Sequence, residues 1–264
     1  KRTSGPTGLV EIYEVDNDRW REGPGKPTPV VDVQAITIND KIYVAGGCND
    51  EVEATDVLEI LDTSTNLWTA GPPLPTPLCG YAATADAQNL YIIGGWDGNN
   101  YHDVVYMLNI DDEETMQWRI LETPYPHKTG YAGAAFLAGE IYVAGGLKGD
   151  QELADVHILN LQTEEWRKGP SLQSPRAGLG LINLNDTLFA IGGGWSSNLR
   201  YNERLIAGQS EWEQLTTPYS KEWRNFGIAQ NGKDIIIAGG WNGDYINLLV
   251  TYEGDFRVFI PVLQ

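Results

Sequence analysis

The chain has 264 residues, 36 acidic against 18 basic side chains, a formal charge of −18, and 9 Trp, 13 Tyr and 30 Gly. These figures exclude a binder of nucleic-acid backbone, which needs a Lys/Arg patch to release counterions, a disordered chain, which is poor in aromatics, and a helical bundle, which is poor in glycine. No stretch nears the roughly 18 apolar residues of a membrane span, so a turn-dense β protein remains.

The chain opens on Lys1 without the charged, apolar and cleavage-site pattern of a signal peptide. Leu9 to Trp20 reads as two strands. Beyond it an apolar run ending in two glycines recurs: Ile42 to Gly47, Leu90 to Gly95, Ile141 to Gly146, Leu188 to Gly193 and Ile235 to Gly240. The second glycines are spaced by 48, 51, 47 and 47 residues, and Trp20, Trp68, Trp118, Trp166 and Trp212 follow in phase at 48, 50, 48 and 46. Two independent marks at one period define a structural repeat.

Each unit contains four strands. A small-residue strand such as Gly130 to Leu137 is followed by the run into Gly-Gly, an alternating strand such as Asp155 to Leu159, and a strand opening at the tryptophan. Asn39-Asp40, Ala138-Gly139, Asn185-Asp186 and Asn231-Gly232 supply hairpin turns. A four-stranded meander cannot bury both faces alone, so the units stack, and radial stacking into a β-propeller leaves only short, protected edges.

The double glycine closing an aromatic-containing run, with a tryptophan about 21 residues later, resembles the kelch repeat over essentially the whole chain. The resemblance implies an all-β kelch-type propeller of four-stranded antiparallel blades. The tryptophans, with Tyr13, Leu61 and Leu159 seven residues before theirs, are expected as wedges between blades. At about 48 residues per unit the chain holds five and a half units: a half blade at 1–28, then full blades at 29–76, 77–125, 126–173, 174–218 and 219–264. The expectation is a six-bladed propeller whose first blade is only half present, with five blades plus an edge hairpin as the alternative.

Strand alternation puts the loops after Gly-Gly and the loops joining successive blades on one face, around the mouth of the central channel. Cys48, Trp96, Leu147, Trp195 and Trp241 follow the glycines, while Asp32, Cys79, Tyr81, His127, Tyr131, Arg176, Trp223, Arg224 and Asn225 stand in the joining loops. Aromatic faces flanked by Arg and Asn suit a peptide or a sugar. The candidate ligand-binding residues are therefore Trp96, Trp195, Trp241, Trp223, Arg176, Arg224, Asn225, Tyr81, Tyr131 and His127. The alternative for the tryptophans is a hydrophobic plug, and for Arg176, within the kelch resemblance, a brace between loops. Cys48 and Cys79 fall on adjoining loops and are a candidate disulfide. The opposite face carries acidic turns at Asp16, Asp18, Asp62, 111–114, 164–165 and Glu211, read as solvated.

His102, His127 and His157 lack metal-ligand spacing, and no nucleophile elbow, Walker or dinucleotide fingerprint occurs. No catalytic residue, metal or cofactor is expected. An iron site resembling that of nitrile-specifier propellers would have only His127, Asp97 and Asp244 to draw on. The expected function is non-catalytic binding of a peptide, protein segment or glycan, without nucleic acid or membrane insertion. The alternatives are a carbohydrate-active enzyme, mutarotase-like or oxidase-like, and a structural module of a larger secreted or surface protein. The acidity, the Asn185-Asp186-Thr187 sequon and the tail 259–264 lean toward an extracellular or cell-surface location, with a cytoplasmic one as alternative.

Overall fold

The computed structural model describes residues 5–112, 114–196, 199–216 and 222–253, and the strand at 256–259 by its backbone. Glu113, the boundary set at 218–219 and the tail from 260 onward lie outside the described residues. The chain opens with a hairpin of β1 (Glu11–Glu14) and β2 (Arg19–Glu22). Blade 1 follows as β3 (Ala35–Ile38), β4 (Lys41–Ala45), β5 (Leu58–Asp62) and β6 (Leu67–Ala70). Blade 2 is β7 (Ala82–Ala85), β8 (Asn89–Ile93), β9 (Val105–Asn109) and β10 (Trp118–Ile120). Blade 3 begins with β11 (Gly133–Leu137) and β12 (Glu140–Ala144), carries a two-residue ribbon of β13 (Leu147–Lys148) and β14 (Gln151–Glu152), and ends with β15 (Val156–Asn160) and β16 (Glu165–Lys168). Blade 4 is β17 (Leu179–Leu184), β18 (Thr187–Gly192), β19 (Tyr201–Ile206) and β20 (Glu213–Thr216), and blade 5 is β21 (Gly227–Asn231), β22 (Asp234–Ala238), β23 (Leu249–Tyr252) and β24 (Phe256–Phe259).

The five four-stranded sheets are antiparallel meanders, giving a propeller of five blades. Among the described residues the structure has five four-stranded blades and a two-stranded edge hairpin, the second of the two arrangements considered. Alternation along the strands builds the cores between blades. Tyr43 and Ala45 of β4 pack with Tyr81, Ala83, Leu90 and Ile92 of blade 2, while Tyr91 and Ile93 of β8 face Ala134, Ile141 and Val143 of blade 3.

The two repeated marks have distinct jobs. Both glycines of a pair sit at positive φ, 65° and 107° for Gly46 and Gly47, and a Cβ on Gly47 would stand 2.7 Å from Val30 Cβ. The second glycine then donates its N–H to a carbonyl of the next blade's joining loop: Gly47 to Leu78, Gly95 to Thr129, Gly146 to Arg176 and Gly193 to Trp223. The tryptophans reach the other way. The Nε1 of Trp68, Trp118, Trp166 and Trp212 donates to the carbonyls of Pro24, Pro72, Thr123 and Pro170 in the segment before each blade. Tyr13, Leu61 and Leu159 lie directly across from Trp20, Trp68 and Trp166 in the ladders. Because Trp68 bonds Pro24 as the later tryptophans bond their preceding loops, the β1–β2 hairpin sits against blade 1 as the outer strands of each blade sit against the next.

A rim around the channel mouth as candidate functional site

Five residues at one register of the joining loops, Asp32, Gly80, Tyr131, Gly178 and Asn225, all adopt left-handed conformation, with φ between 53° and 68°. Their backbones form a chain of hydrogen bonds around the mouth, from Gly80 N–H to Asp32 O, Tyr131 to Gly80, Gly178 to Tyr131 and Asn225 to Gly178. Between Asn225 and Asp32 a side-chain bond takes over, Asn225 Nδ2 donating to Asp32 Oδ1 at 3.1 Å. The ring encloses a cavity of about 90 Å³. Glycine accepts this conformation freely and Asn and Asp tolerate it, but for a bulky aromatic it is strained. Tyr131 holds it at φ 59°.

What holds Tyr131 is a cluster from four blades. Its hydroxyl donates to Asp32 Oδ2 at 3.1 Å, and its ring lies 4.6 Å from that of Trp195. The Arg224 guanidinium stands 4.5 Å over the same Trp195 ring and donates to the Trp195 carbonyl at 2.6 Å. The Trp195 N–H donates to Glu152 Oε1 on β14, and Ser196 Oγ donates to the other carboxylate oxygen. Burial raises the Asp32 carboxyl above its ordinary value, against the pull of the Tyr131 bond and the Arg224 charge. Burial, with Asp32 beside it, also pushes the Tyr131 phenol up.

Four more aromatics extend this surface outward. Trp96 pairs by backbone with Cys79 and Tyr101, and Trp241 with Arg224 and Tyr245. The Trp241 and Tyr245 rings meet edge-on at 5.2 Å, and Tyr245 is half exposed to solvent. Trp96, Trp195 and Trp241 all keep part of their surface open. Cys48 and Cys79 are bonded as a disulfide that ties the rim loops of blades 1 and 2.

Other expected contacts lie elsewhere. Trp223 is buried in the core between blades 4 and 5, its Nε1 donating to the Gly239 carbonyl. Tyr81 is buried between blades 1 and 2, its hydroxyl donating to the Ala45 carbonyl. Arg176 has no exposed surface and braces loops, donating to Glu203 Oε1, the Gly192 carbonyl and the Tyr201 carbonyl. The large rings of Trp223 and Tyr81 gain by filling the core between blades, whereas the cost of burying the Arg176 charge is offset by its ion pair with Glu203 and its carbonyl bonds. His127 packs on Tyr125 and His157 and reaches Asp155, while Asp97 binds His102 at 2.7 Å. Asp244 Oδ1 accepts the Tyr245 N–H, so the residues considered for an iron site are engaged in different loops.

One position escaped sequence reasoning. Glu59, Tyr106, His157 and Glu203 share a register on the third strand of their blades, each across from the third residue before its second glycine. Each reaches the loop entering its own blade: Glu59 takes Lys26 and Thr28, Tyr106 bonds Thr76, His157 meets Tyr125 and His127, and Glu203 takes Gln173, Ser174 and Arg176. Four different residue types hide the pattern in the sequence.

A model described as the KLHDC2/KLHL20/DRC7 Kelch-repeats domain matches residues 7–194. Acyl-CoA-binding domain-containing protein 4 of Arabidopsis thaliana is 30% identical over 162 residues, covering 54% of this chain and 24% of that protein. Kelch domain-containing protein 10 of Homo sapiens is 29% identical over 166 residues, covering 56% of this chain and 37% of its own length. The kelch repeat-containing protein kel-10 of Caenorhabditis elegans is 25% identical over 144 residues, 52% of this chain and 24% of its own. The chain thus spans a quarter to about a third of the length of these relatives.

Proposed function

The chain belongs to the kelch-repeat family, and from that premise we propose that it is a protein-interaction module that grips a peptide or protein segment across the rim of its channel mouth. The observation that carries this reading is the cluster of Tyr131, Asp32, Trp195 and Arg224, in which a strained tyrosine is held in place by groups from other blades. Strain of about 1–3 kcal/mol is stored where a surface is shaped for use. Around it Trp96, Tyr101, Trp241 and Tyr245 provide aromatic area with few rotatable bonds, the residue type that anchors interfaces. A glycan is the second reading, favoured by the same ring surfaces of Trp96 and Trp241. The Cys48–Cys79 bond supports an oxidising, extracellular or cell-surface setting.

The test is selection of binding peptides from a random displayed library, followed by hydrogen exchange of the protein with a selected peptide bound. Protection concentrated at 96–101, 131–132, 194–196 and 241–245 supports the reading. Protection confined to the turns of the opposite face, such as 62–66, contradicts it.

A further inference from the structure

The turn joining the third and fourth strands of a blade holds one register throughout. Its first residue, Thr63, Ile110, Leu161 or Ala207, donates its N–H to a carbonyl of the turn between the first two strands, that of Asp40, Gln88, Gly139 or Asp186. In blade 2 this turn sets Ile110 and Met116 on the core between blades 1 and 2, and in blade 3 it sets Leu161 on the core between blades 2 and 3. Blade 4 offers Ala207, Gly208, Gln209 and Ser210 there, all exposed. The gap between blades 3 and 4 is left unfilled at this point, and a cavity of about 300 Å³ opens beside Ala207, on the face opposite the rim.

The floor of this cavity is apolar. Leu137, Ile158 and Leu205 lie buried beneath it, with Tyr142 half-buried at its side. Arg167 and Lys168 line it as well, two cations in a chain whose formal charge is −18.

The neighbouring gap shows what Arg167 lacks. Arg119 and Arg167 each follow the tryptophan of their blade. Arg119 reaches across to the next blade, where Glu164 Oε1 accepts from its Nη2 at 2.5 Å. Glu164 stands two residues before Trp166, and two residues before Trp212 blade 4 has Ser210. Without that carboxylate Arg167 turns back to Glu140 of its own blade, giving it Nη2 at 2.7 and 2.9 Å. The Arg167 side chain is 51% exposed, and an ion pair so open to water is weak and readily exchanged. Lys168 is held as loosely, by Asp155 at 3.2 Å.

The gap between blades 3 and 4 thus lacks two groups that the gap before it contains, a branched aliphatic side chain and a carboxylate beside the arginine. We propose that the cavity is a binding site for an aliphatic carboxylate, a small molecule whose chain lies over Leu137, Ile158 and Leu205 and whose carboxylate bonds Arg167, with Lys168 beside it. The volume suits a small ligand, and the guanidinium fork is the donor that matches a carboxylate with two parallel bonds. The site is separate from the rim and does not depend on the reading proposed there.

Octanoate is the probe, and octylammonium, the same chain with a positive charge, is its control. Titration of the whole chain followed by methyl NMR should give octanoate a dissociation constant of about 1 mM or below, with shifts concentrated at Leu137, Ile158 and Leu205. Octylammonium should bind at least tenfold more weakly, although the net charge of the chain favours a cation. Arg167→Gln should weaken octanoate binding at least tenfold with the melting temperature nearly unchanged, and Glu140→Gln, which removes the competing carboxylate, should tighten it. Ala207→Leu combined with Ser210→Glu rebuilds the blade 3 pattern and should abolish binding while raising the melting temperature; the two single variants keep the test independent of how well that redesign packs. Equal binding of the two probes, octanoate binding that Arg167→Gln leaves unchanged, or no methyl shift at several millimolar octanoate overturns the proposal.

Discussion

The phenol ring of Tyr131 lies across the bare Cα of Gly80, so close that a Cβ there would stand 2.9 Å from Tyr131 Cζ. Both residues hold left-handed backbone, at φ 59° and 57°. Gly80→Ala should therefore strain the ring twice, by its own φ and by displacing the phenol from Asp32. We expect a loss of about 1–3 kcal/mol in urea unfolding. An unchanged midpoint would mean that Tyr131 has room to move and is not held in a fixed pose.

Arg176 and Glu203 form an ion pair at 2.9 Å with no exposure on either side. Breaking such a pair strands a buried charge, so Arg176→Met should cost about 3–5 kcal/mol. In a Glu203→Gln background the same change should cost much less, because the orphaned carboxylate is gone. Additive losses in the double-mutant cycle would show that Arg176 acts through packing and its carbonyl bonds alone.

His157 is held below its ordinary value, first by burial and then by the nearby His127 charge. A depressed histidine leaves stability intact above about pH 6.5, the unfolded value, and removes it as pH falls, because the unfolded chain binds the proton more readily. Thermal melts from pH 7.5 to 5 should show this decline, and His157→Gln should flatten it. A profile of the same slope in the variant would assign the pH dependence to other groups.

The repeat was readable because its two marks do backbone work that few residues can do. Gly46-Gly47 and its counterparts need positive φ and close approach, and the tryptophans need an indole to reach a carbonyl of the preceding segment. The face of the rim followed from strand alternation alone. The side chains within it did not, since Trp223 and Trp241 both flank the mouth in sequence and one turns into the core while the other stays partly open. The ring of left-handed residues was equally hidden: Asp32, Gly80, Gly178 and Asn225 are of types that accept this backbone but are common in any loop, and Tyr131 in the middle of the series breaks the pattern.

Cys48 and Cys79 close a loop of 31 residues, and such a bond contributes about 2–4 kcal/mol by restricting the unfolded chain. Reductant should lower the melting temperature of the wild-type chain and leave a Cys48→Ala/Cys79→Ala variant unmoved. Equal melting of wild type with and without reductant would indicate thiols that are not joined in solution.

The central claim, that the rim is a binding surface and not a plug, is tested most directly by Trp241→Ala. Its dissociation constant for a library-selected peptide should rise at least tenfold, the loss of one interface anchor of about 1.4 kcal/mol or more, while its melting temperature stays near that of the wild type. Trp212→Ala, a truncation in the core between blades 3 and 4, should by contrast cost about 3–5 kcal/mol of stability. If Trp241→Ala unfolds the protein as readily as Trp212→Ala, or binds the peptide as tightly as the wild type, the rim is not the binding surface.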